Sequence, residues 1–462
     1  MMLNMTDPDD TDASHSRDAS QRPTDSTHRA ASAGAVAAPR PDGADVTGTA
    51  HRRVPMAGRD PDEHERASTP LELLFDLTFV VAVGTAAAQF AELLAEGHVG
   101  HATTAFALAM FAISVAWISF SWFASAFGTD DWLDRLLTMV QMVGVVVFAL
   151  GLPAMFHSVD EGGRLELRGI VLGYVVMRIA MVAQWWRASR ESAAYRRVGM
   201  ANMRWIAIAQ IGWVVIAFVH LPTWLVVVAV PLLGVLELLL PALSQGSAGG
   251  TPWHPHHMAE RYSLFAIITL GEAVVGTVAS SGDLLGGAHG TDWSIDAIAV
   301  VVAGVGLTFG MWWVYFSTPF GDVLVHRRGR GYLFGYGHIL LFMGIAGAGA
   351  GLHVAGLYME HHTELGEAAV IVSLALPVGL YLLTVFLLHT LLLSATDRFH
   401  LLLLTATLVV LAAAVLLAAA GAPVAVCLLV IMLSPYVTVI GYETVGHRHQ
   451  RRMLADLGVR GR

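Results

Sequence analysis

From residue 71 to residue 441 the chain alternates between long apolar runs and short polar breaks. The runs hold roughly twenty residues each, enough for a helix to cross the ~30 Å hydrocarbon layer of a bilayer. They predict twelve spans, at 71–95, 102–126, 136–156, 169–186, 205–220, 222–242, 261–281, 295–318, 336–357, 367–393, 399–420 and 422–441. The fifth is the shortest, and only Gly421 and Pro423 mark the last break. A β-barrel would show short alternating segments instead. The pattern predicts an all-α polytopic membrane protein. Its parts are a tail at 1–69, a first six-helix half at 70–242, a second at 243–441 and a C-terminal tail at 442–462. The first tail is rich in Asp, Ser, Thr, Pro and Arg and poor in large aliphatics. Such a composition cannot bury a core and predicts disorder. It also lacks the apolar segment of a signal peptide.

Arginine positions orient the spans. With the N-terminus inside, the inner segments hold Arg52, Arg53, Arg59, Arg66 and Arg135, then a block from Arg187 to Arg204. Arg261, the group Arg327, Arg328 and Arg330, then Arg398, Arg448, Arg451 and Arg452 follow, eighteen in all. The outer loops hold only Arg164 and Arg168. That asymmetry follows the positive-inside rule and predicts both termini cytoplasmic, in a cytoplasmic membrane.

Composition narrows the chemistry. The chain is 55% hydrophobic and 14% charged, with mean hydropathy +0.60; much of the net charge of −9 lies in the tail. All 27 basic residues are arginine, so there is no lysine for a P-loop, a kinase site or a Schiff base. The single Cys427 leaves no disulfide or thiolate metal centre. No nucleotide, nucleic acid or cofactor is expected. The expected partners are the bilayer and a small solute or ion.

Two segments suggest an internal repeat. LFDLTFVVAVGTAAA in the first span and LFAIITLGEAVVGTVAS in the seventh both carry Leu-Phe and then Val-Gly-Thr: Leu74–Phe75 with Val83–Thr85, and Leu264–Phe265 with Val275–Thr277. Two inserted residues align them. Such parallel repeats recur among transporters, whereas Ala, Val, Gly and Thr are common in any membrane helix.

Ionisable groups within the spans are few, and each must face protein or water. Glu72 and Asp76 lie one turn apart on one face of the first span. Glu72 suits a helix start, where acids offset the dipole; Asp76 lies past the first turn. Glu272 lies mid-span in the seventh, between Gly271 and Gly276, and Arg178 mid-span in the fourth. An arginine there needs an acid. Matching depth predicts a polar network of Asp76, Arg178 and Glu272, with Arg178 pairing one of the two acids. Glu72, Glu237 and His338 are expected to line the inner approach, with Gln141 and His389 nearby in depth. A purely structural ion pair is the competing reading.

Weaker signals remain. His254, His256 and His257 in one loop, and His361 and His362 between Glu360 and Glu364 in another, lack any recognised zinc spacing. They are expected to be solvated. Gly306 with Gly310, and Gly347 with Gly351, have small-xxx-small spacing for close helix packing.

LELLFDLTFVVAV at 71–83 resembles the opening motif of the bacterial low temperature requirement protein A family, and AERYSLFAIITLGEAVVG at 259–276 resembles its second. WWVYF at 312–316 and GHILLFMGIAGAGAGLH at 337–353 are similar to later signatures. By motif, Glu72, Phe75, Asp76, Glu260, Arg261, Gly271, Glu272 and His338 match family positions; Tyr262 and Ser263 stand where Phe and Gly are usual. The resemblance covers about 70–440 and implies a multi-pass membrane protein connected with growth in the cold, with no substrate attached. The leading expectation is a secondary transporter or channel-like permeation protein rather than an enzyme. The alternatives are a non-transporting stress-adaptation protein and a membrane-embedded lipid-modifying enzyme built on Asp76, Glu237 and His338.

Overall fold

The computed structural model describes residues 53–456, apart from 62, 64–65, 249, 286–294 and 395–397. Among the described residues the regular structure is entirely helical. The helices are α1 (Pro70–Ala95), α2 (Val99–Phe127), α3 (Trp132–Asp160), α4 (Arg168–Glu191), α5 (Arg196–Phe218), α6 (Thr223–Ala248) and α7 (Pro255–Leu285). They continue with α8 (Ile295–Phe316), α9 (Phe320–His326), α10 (Gly331–Met359), α11 (Glu367–Leu393), α12 (Arg398–Ala419), α13 (Val424–Gly441) and α14 (His447–Asp456). Among the described residues, twelve helical stretches are long and apolar enough to cross a membrane. They correspond to α1–α8 and α10–α13, one for each predicted span. The protein is a multi-pass helical membrane protein.

Several helices start earlier than their apolar runs. Helix α5 begins at Arg196 and is not short, α7 begins at Pro255, and α10 begins at Gly331. Polar first turns extend an apolar helix without adding hydropathy, so the pattern alone misses them. The starts carry local signals. Thr69 caps α1: its hydroxyl accepts from the Glu72 backbone N–H at 3.2 Å, and Glu72 accepts from the Thr69 N–H at 2.8 Å. Pro70 fills the first position, where no donor is lost. Asp131 caps α3 by accepting from the Asp134 N–H at 3.0 Å.

Helix α10 is the core element: 83% of its most apolar stretch is buried, against 6% for α6. Its glycines allow the approach. A Cβ at Gly349 would stand 2.7 Å from the Glu272 backbone, and one at Gly351 would stand 2.7 Å from Leu374 Cα. Gly306 and Gly310 do the same for α8 against Met432 and Pro435 of α13, as their spacing predicts. Neighbour order repeats along the chain. Helix α1 packs on α2 and α3, α3 on α4, α4 on α5, and α5 on α6. Correspondingly, α7 packs on α8 and α10, α10 on α11, α11 on α12, and α12 on α13.

The tails depart from expectation. Residues 1–52, most of the predicted disordered segment, lie outside the described residues. Residues 53–69 do not behave as a tail: Met56 and Arg66 are buried. The segment is held by polar contacts to helix ends, which compensate for its lack of aliphatic side chains. Val54 N–H donates to Asp131 at 3.0 Å, Met56 N–H donates to Glu191 at 2.8 Å, and Arg66 donates to the Ala124 carbonyl at 2.7 Å. Most of the described C-terminal tail is helix α14, whose Gln450 donates to the Ser317 carbonyl at 3.2 Å.

Candidate functional site

The first polar centre lies where α1 meets α7. Asp76 lies six residues into α1 and Arg261 six residues into α7, so the two parallel helix starts bring them level. Arg261 Nη2 donates to Asp76 Oδ1 at 2.6 Å, and Nη1 lies 3.4 Å from Glu72 Oε1. His257, one turn before Arg261, has Nε2 3.3 Å from Glu72. From α2, Trp117 Nε1 donates to Asp76 Oδ1 at 2.7 Å, and Ser121 Oγ lies 3.3 Å from Arg261 Nη2. Glu72, Asp76, Ser121, His257 and Arg261 are all buried. Asp76 Oδ2 has no hydrogen-bond partner among the described residues. One arginine and one histidine thus face two acids, in a setting where an unpaired charge would be very costly.

Above this cluster an aromatic layer closes the interior. Trp117 stacks on Phe265 at 4.4 Å between ring centres and meets Phe342 and Tyr262 edge-on. His338 lies within it, donating from Nδ1 to the Phe334 carbonyl at 2.7 Å, which leaves Nε2 to accept from the Tyr315 hydroxyl at 3.0 Å. It is fully buried among rings and lines no open approach.

The predicted network of Asp76, Arg178 and Glu272 is not assembled. Arg178 of α4 pairs instead with Glu237 of α6, at 3.6 Å, with Tyr174 bonded to both. Trp213 Nε1 donates to Glu237 at 3.3 Å. Depth made the acids equivalent; adjacency decides, because α6 reaches α4 across α5, whereas α7 packs on α1, α8 and α10. Glu272 stands half-buried against α1, where a Cβ on Gly84 would lie 2.9 Å from its Oε1. It has no ion pair among the described residues.

Arg178 and Glu237 open onto a cavity of about 60 Å³ lined by Trp122, Trp185, Asn202, Trp205, Tyr332 and Tyr336. Helix α2 serves both centres. One face gives Trp117 and Ser121 to the Asp76–Arg261 pair; another gives Val115, Ile118, Ser119 and Trp122 to the cavity wall. Trp122 stacks on Tyr332 at 4.7 Å, and the Tyr336 hydroxyl donates to the Leu238 carbonyl at 2.7 Å. Asp76, Glu237 and His338 therefore each have separate partners and form no common cluster.

A third network ties the ends of α3 and α4. Gln184 bridges Gln141 at 2.8 Å and Asp134 at 3.0 Å, and Arg187 donates to Asp131 at 2.9 Å. Burial alone would raise the Asp131 carboxyl. Hydrogen bonds from Arg187 and from the Asp134 and Val54 N–H groups outweigh that and hold it at about 2.

Arg261 stands outside the expected polar network: the pattern places it at the first residue of the seventh span, among the inner arginines, and the resemblance gives it only a motif match. The signal was present: AERYSLF repeats the acid-then-Leu-Phe order of LELLF. The loop histidines also differ from expectation. His254 and His257 are buried, and His254 Nδ1 accepts from the His257 N–H at 3.1 Å. His362 is exposed, 3.5 Å from Glu360.

Comparisons place the chain. Residues 67–435 match the family described as bacterial low temperature requirement A protein. An uncharacterised protein of Rhizobium meliloti (strain 1021) is 28% identical over 303 residues, covering 61% of this chain and 68% of that protein. No solved structure matches. The match spans every residue of both polar centres, and the chain belongs to the bacterial low temperature requirement A family.

Proposed function

We propose that this protein is a secondary transporter of the cytoplasmic membrane, both termini inside, that couples a small charged or amphipathic solute to a proton or cation. The observation that carries the reading is the double duty of α2. One helix holds a buried ionisable cluster, Asp76–Arg261–Glu72–His257, and walls a cavity that contains a second charge pair, Arg178–Glu237. Ionisable groups inside spans are costly and concentrate along substrate and ion paths. In this reading the cavity receives the solute. Its aromatic walls suit an apolar body, and Arg178 and Glu237 suit charged ends.

The cluster supplies coupling. Protonating Asp76 removes the charge that holds Arg261, and the freed guanidinium pulls on Ser121 and Glu72. Helix α2 then shifts, carrying Trp122 at the cavity wall. While Asp76 and Arg261 remain paired, the aromatic layer of Trp117, Phe265 and Phe342 closes the cluster off on its deeper side. The repeated neighbour order of α1–α6 and α7–α13 supports two six-helix repeats, with α9 as an insertion. Repeats of this kind rock against each other in alternating access.

The test is flux in proteoliposomes, with a pH-sensitive dye inside and a broad panel of labelled solutes. Asp76→Asn is expected to abolish proton-coupled uptake while leaving counterflow exchange, and Glu237→Gln to lower solute affinity. Folded wild type that moves nothing over the panel would overturn the proposal. A packing-only role in stress adaptation is the second reading, favoured by one observation: Asp76, Glu72 and Arg261 are all paired and enclosed. The separate partners of Asp76, Glu237 and His338 weigh against the lipid-enzyme reading.

A further inference from the structure

The turn between α1 and α2 and the start of α2 read Glu96-Gly97-His98-Val99-Gly100-His101. Gly97 takes a left-handed conformation, φ 82°, which folds the chain back so that Glu96 and His98 face one side. His98 is the N-cap residue of α2, yet its side chain makes no capping bond. His101 lies one turn along the same helix. Asp160, the last residue of α3, points into this group. His98 Nδ1 lies 2.8 Å from Asp160 Oδ1 and 3.8 Å from Glu96 Oε2, and His101 Nδ1 lies 3.4 Å from Asp160 Oδ1. Asp160 Oδ1 is buried and makes no hydrogen bond among the described residues. Nitrogen and oxygen ligands about 2.0–2.2 Å from a tetrahedral ion stand roughly 3.3–3.6 Å apart. The donor atoms of Glu96, His98 and Asp160 all lie within 4.8 Å of one another, with separations on either side of that range, while His101 approaches Asp160.

The geometry points to a divalent transition-metal site held by Glu96, His98 and Asp160, with His101 beside Asp160 as a fourth donor. Two imidazoles with two carboxylates favour zinc, copper or nickel over calcium or magnesium, which prefer all-oxygen shells. Glu96, the C-cap of α1, lies twenty residues beyond Asp76, about 30 Å at 1.5 Å per residue. The site is therefore distinct from both polar centres, at the far end of the bundle from Arg261. A bound ion ties the α1–α2 turn to the end of α3. Glu364 adds a further carboxylate beside Gly97, on a loop whose backbone N–H donates to the Ala95 carbonyl at 2.9 Å.

The test uses full-length protein in detergent, purified on a tag without histidine and stripped with a chelator that is then removed. Zinc chloride is titrated by calorimetry, and melting is followed with and without zinc. Wild type is expected to take up one zinc ion per chain in a saturable phase and to melt higher with zinc. His98→Gln and Asp160→Asn are each expected to lose that phase and the melting shift. The pair His361→Gln with His362→Gln is expected to retain both. Since Gln and Asn preserve size, variants that melt like apo wild type report on ligation alone. Absence of a saturable phase in wild type overturns the site, as does a phase that survives His98→Gln.

Discussion

One cavity lies among the first six membrane-length helices and another among the last six, and the two are furnished differently. At the first, α2, α4, α5 and α6 enclose Arg178, Glu237, Asn202 and Trp205. At the second, α8, α11, α12 and α13 enclose Thr318, His389 and His400, with His449 and Gln450 added from α14. Both measure about 60 Å³. The packing around them differs. Helices α8 and α13 interlock through Gly306 and Gly310, and the Tyr436 hydroxyl donates to the Gly306 carbonyl at 2.9 Å. Helices α2 and α6 touch little, and the tyrosines of α10 fill part of the gap. One cavity is braced and lined with histidine; the other is looser and carries fixed charge. A similar neighbour order thus accommodates a tightly interlocked set of helices and a looser one, and the Asp76–Arg261 pair forms the seam where α1 meets α7.

The largest break is expected at that seam. Arg261→Met leaves Asp76 and Glu72 buried without their main cation, a loss of about 3–5 kcal/mol for a buried pair with one partner removed. Melting in detergent should show it directly. Adding Asp76→Met should recover most of the loss, since Glu72 keeps His257 at 3.3 Å. A single variant that melts like wild type would mean that the seam is not held by charge.

Next comes a contrast of two glycines around Glu272. A Cβ at Gly349 meets the Glu272 backbone at 2.7 Å, whereas one at Gly84 meets the end of the Glu272 side chain at 2.9 Å. Backbone cannot step aside, so Gly349→Ala should cost about 1–3 kcal/mol by overpacking. Gly84→Ala should melt near wild type while altering the surroundings of the Glu272 carboxyl. Equal costs would show that Glu272 is clamped and unavailable for any mobile role.

A smaller effect separates the two cavities. Glu237→Gln removes the ion-pair partner of Arg178 and leaves it Tyr174, an expected loss of about 1–3 kcal/mol. His389→Asn removes a side chain 3.4 Å from the Thr318 hydroxyl, a weaker bond, and should cost less. If the order reverses, the charged cavity is the better braced one and the contrast between the two cavities fails.

The twelve spans were legible because a run of apolar residues of bilayer length has few alternative uses. Glu72 as a helix-start residue was legible because capping is local, and Asp76 as an intramembrane acid because its depth follows from a count of residues. Arg261 was not. PHHMAER reads as a polar loop, and it is helical because pairing with α1 buries its polar groups, a property of two distant segments together. The partner of Arg178 was hidden for a related reason. Depth is written along one helix, but the choice among Asp76, Glu237 and Glu272 depends on which helices touch.

The mildest prediction concerns the packed segment at 53–69, which lies at the seam's outer edge. His254 Nδ1 accepts from the His257 N–H at 3.1 Å, and Nε2 lies 2.8 Å from the Glu63 carbonyl, so it carries its proton on Nε2 and is neutral. Burial pushes its proton affinity below that of an ordinary histidine, with the Glu63 carbonyl acting in opposition. The unfolded chain then takes up a proton near pH 6.5, before the folded one does. Stability from this residue is complete above that pH and is lost as pH falls below it. Protonating Nδ1 also breaks the bond from His257, which in turn faces Glu72. His254→Asn keeps an acceptor and a donor without titrating, so its melting temperature should fall less than that of wild type between pH 7 and about 5. Identical slopes would separate the 53–69 segment from the seam and leave the contrast between the two cavities to the helices alone.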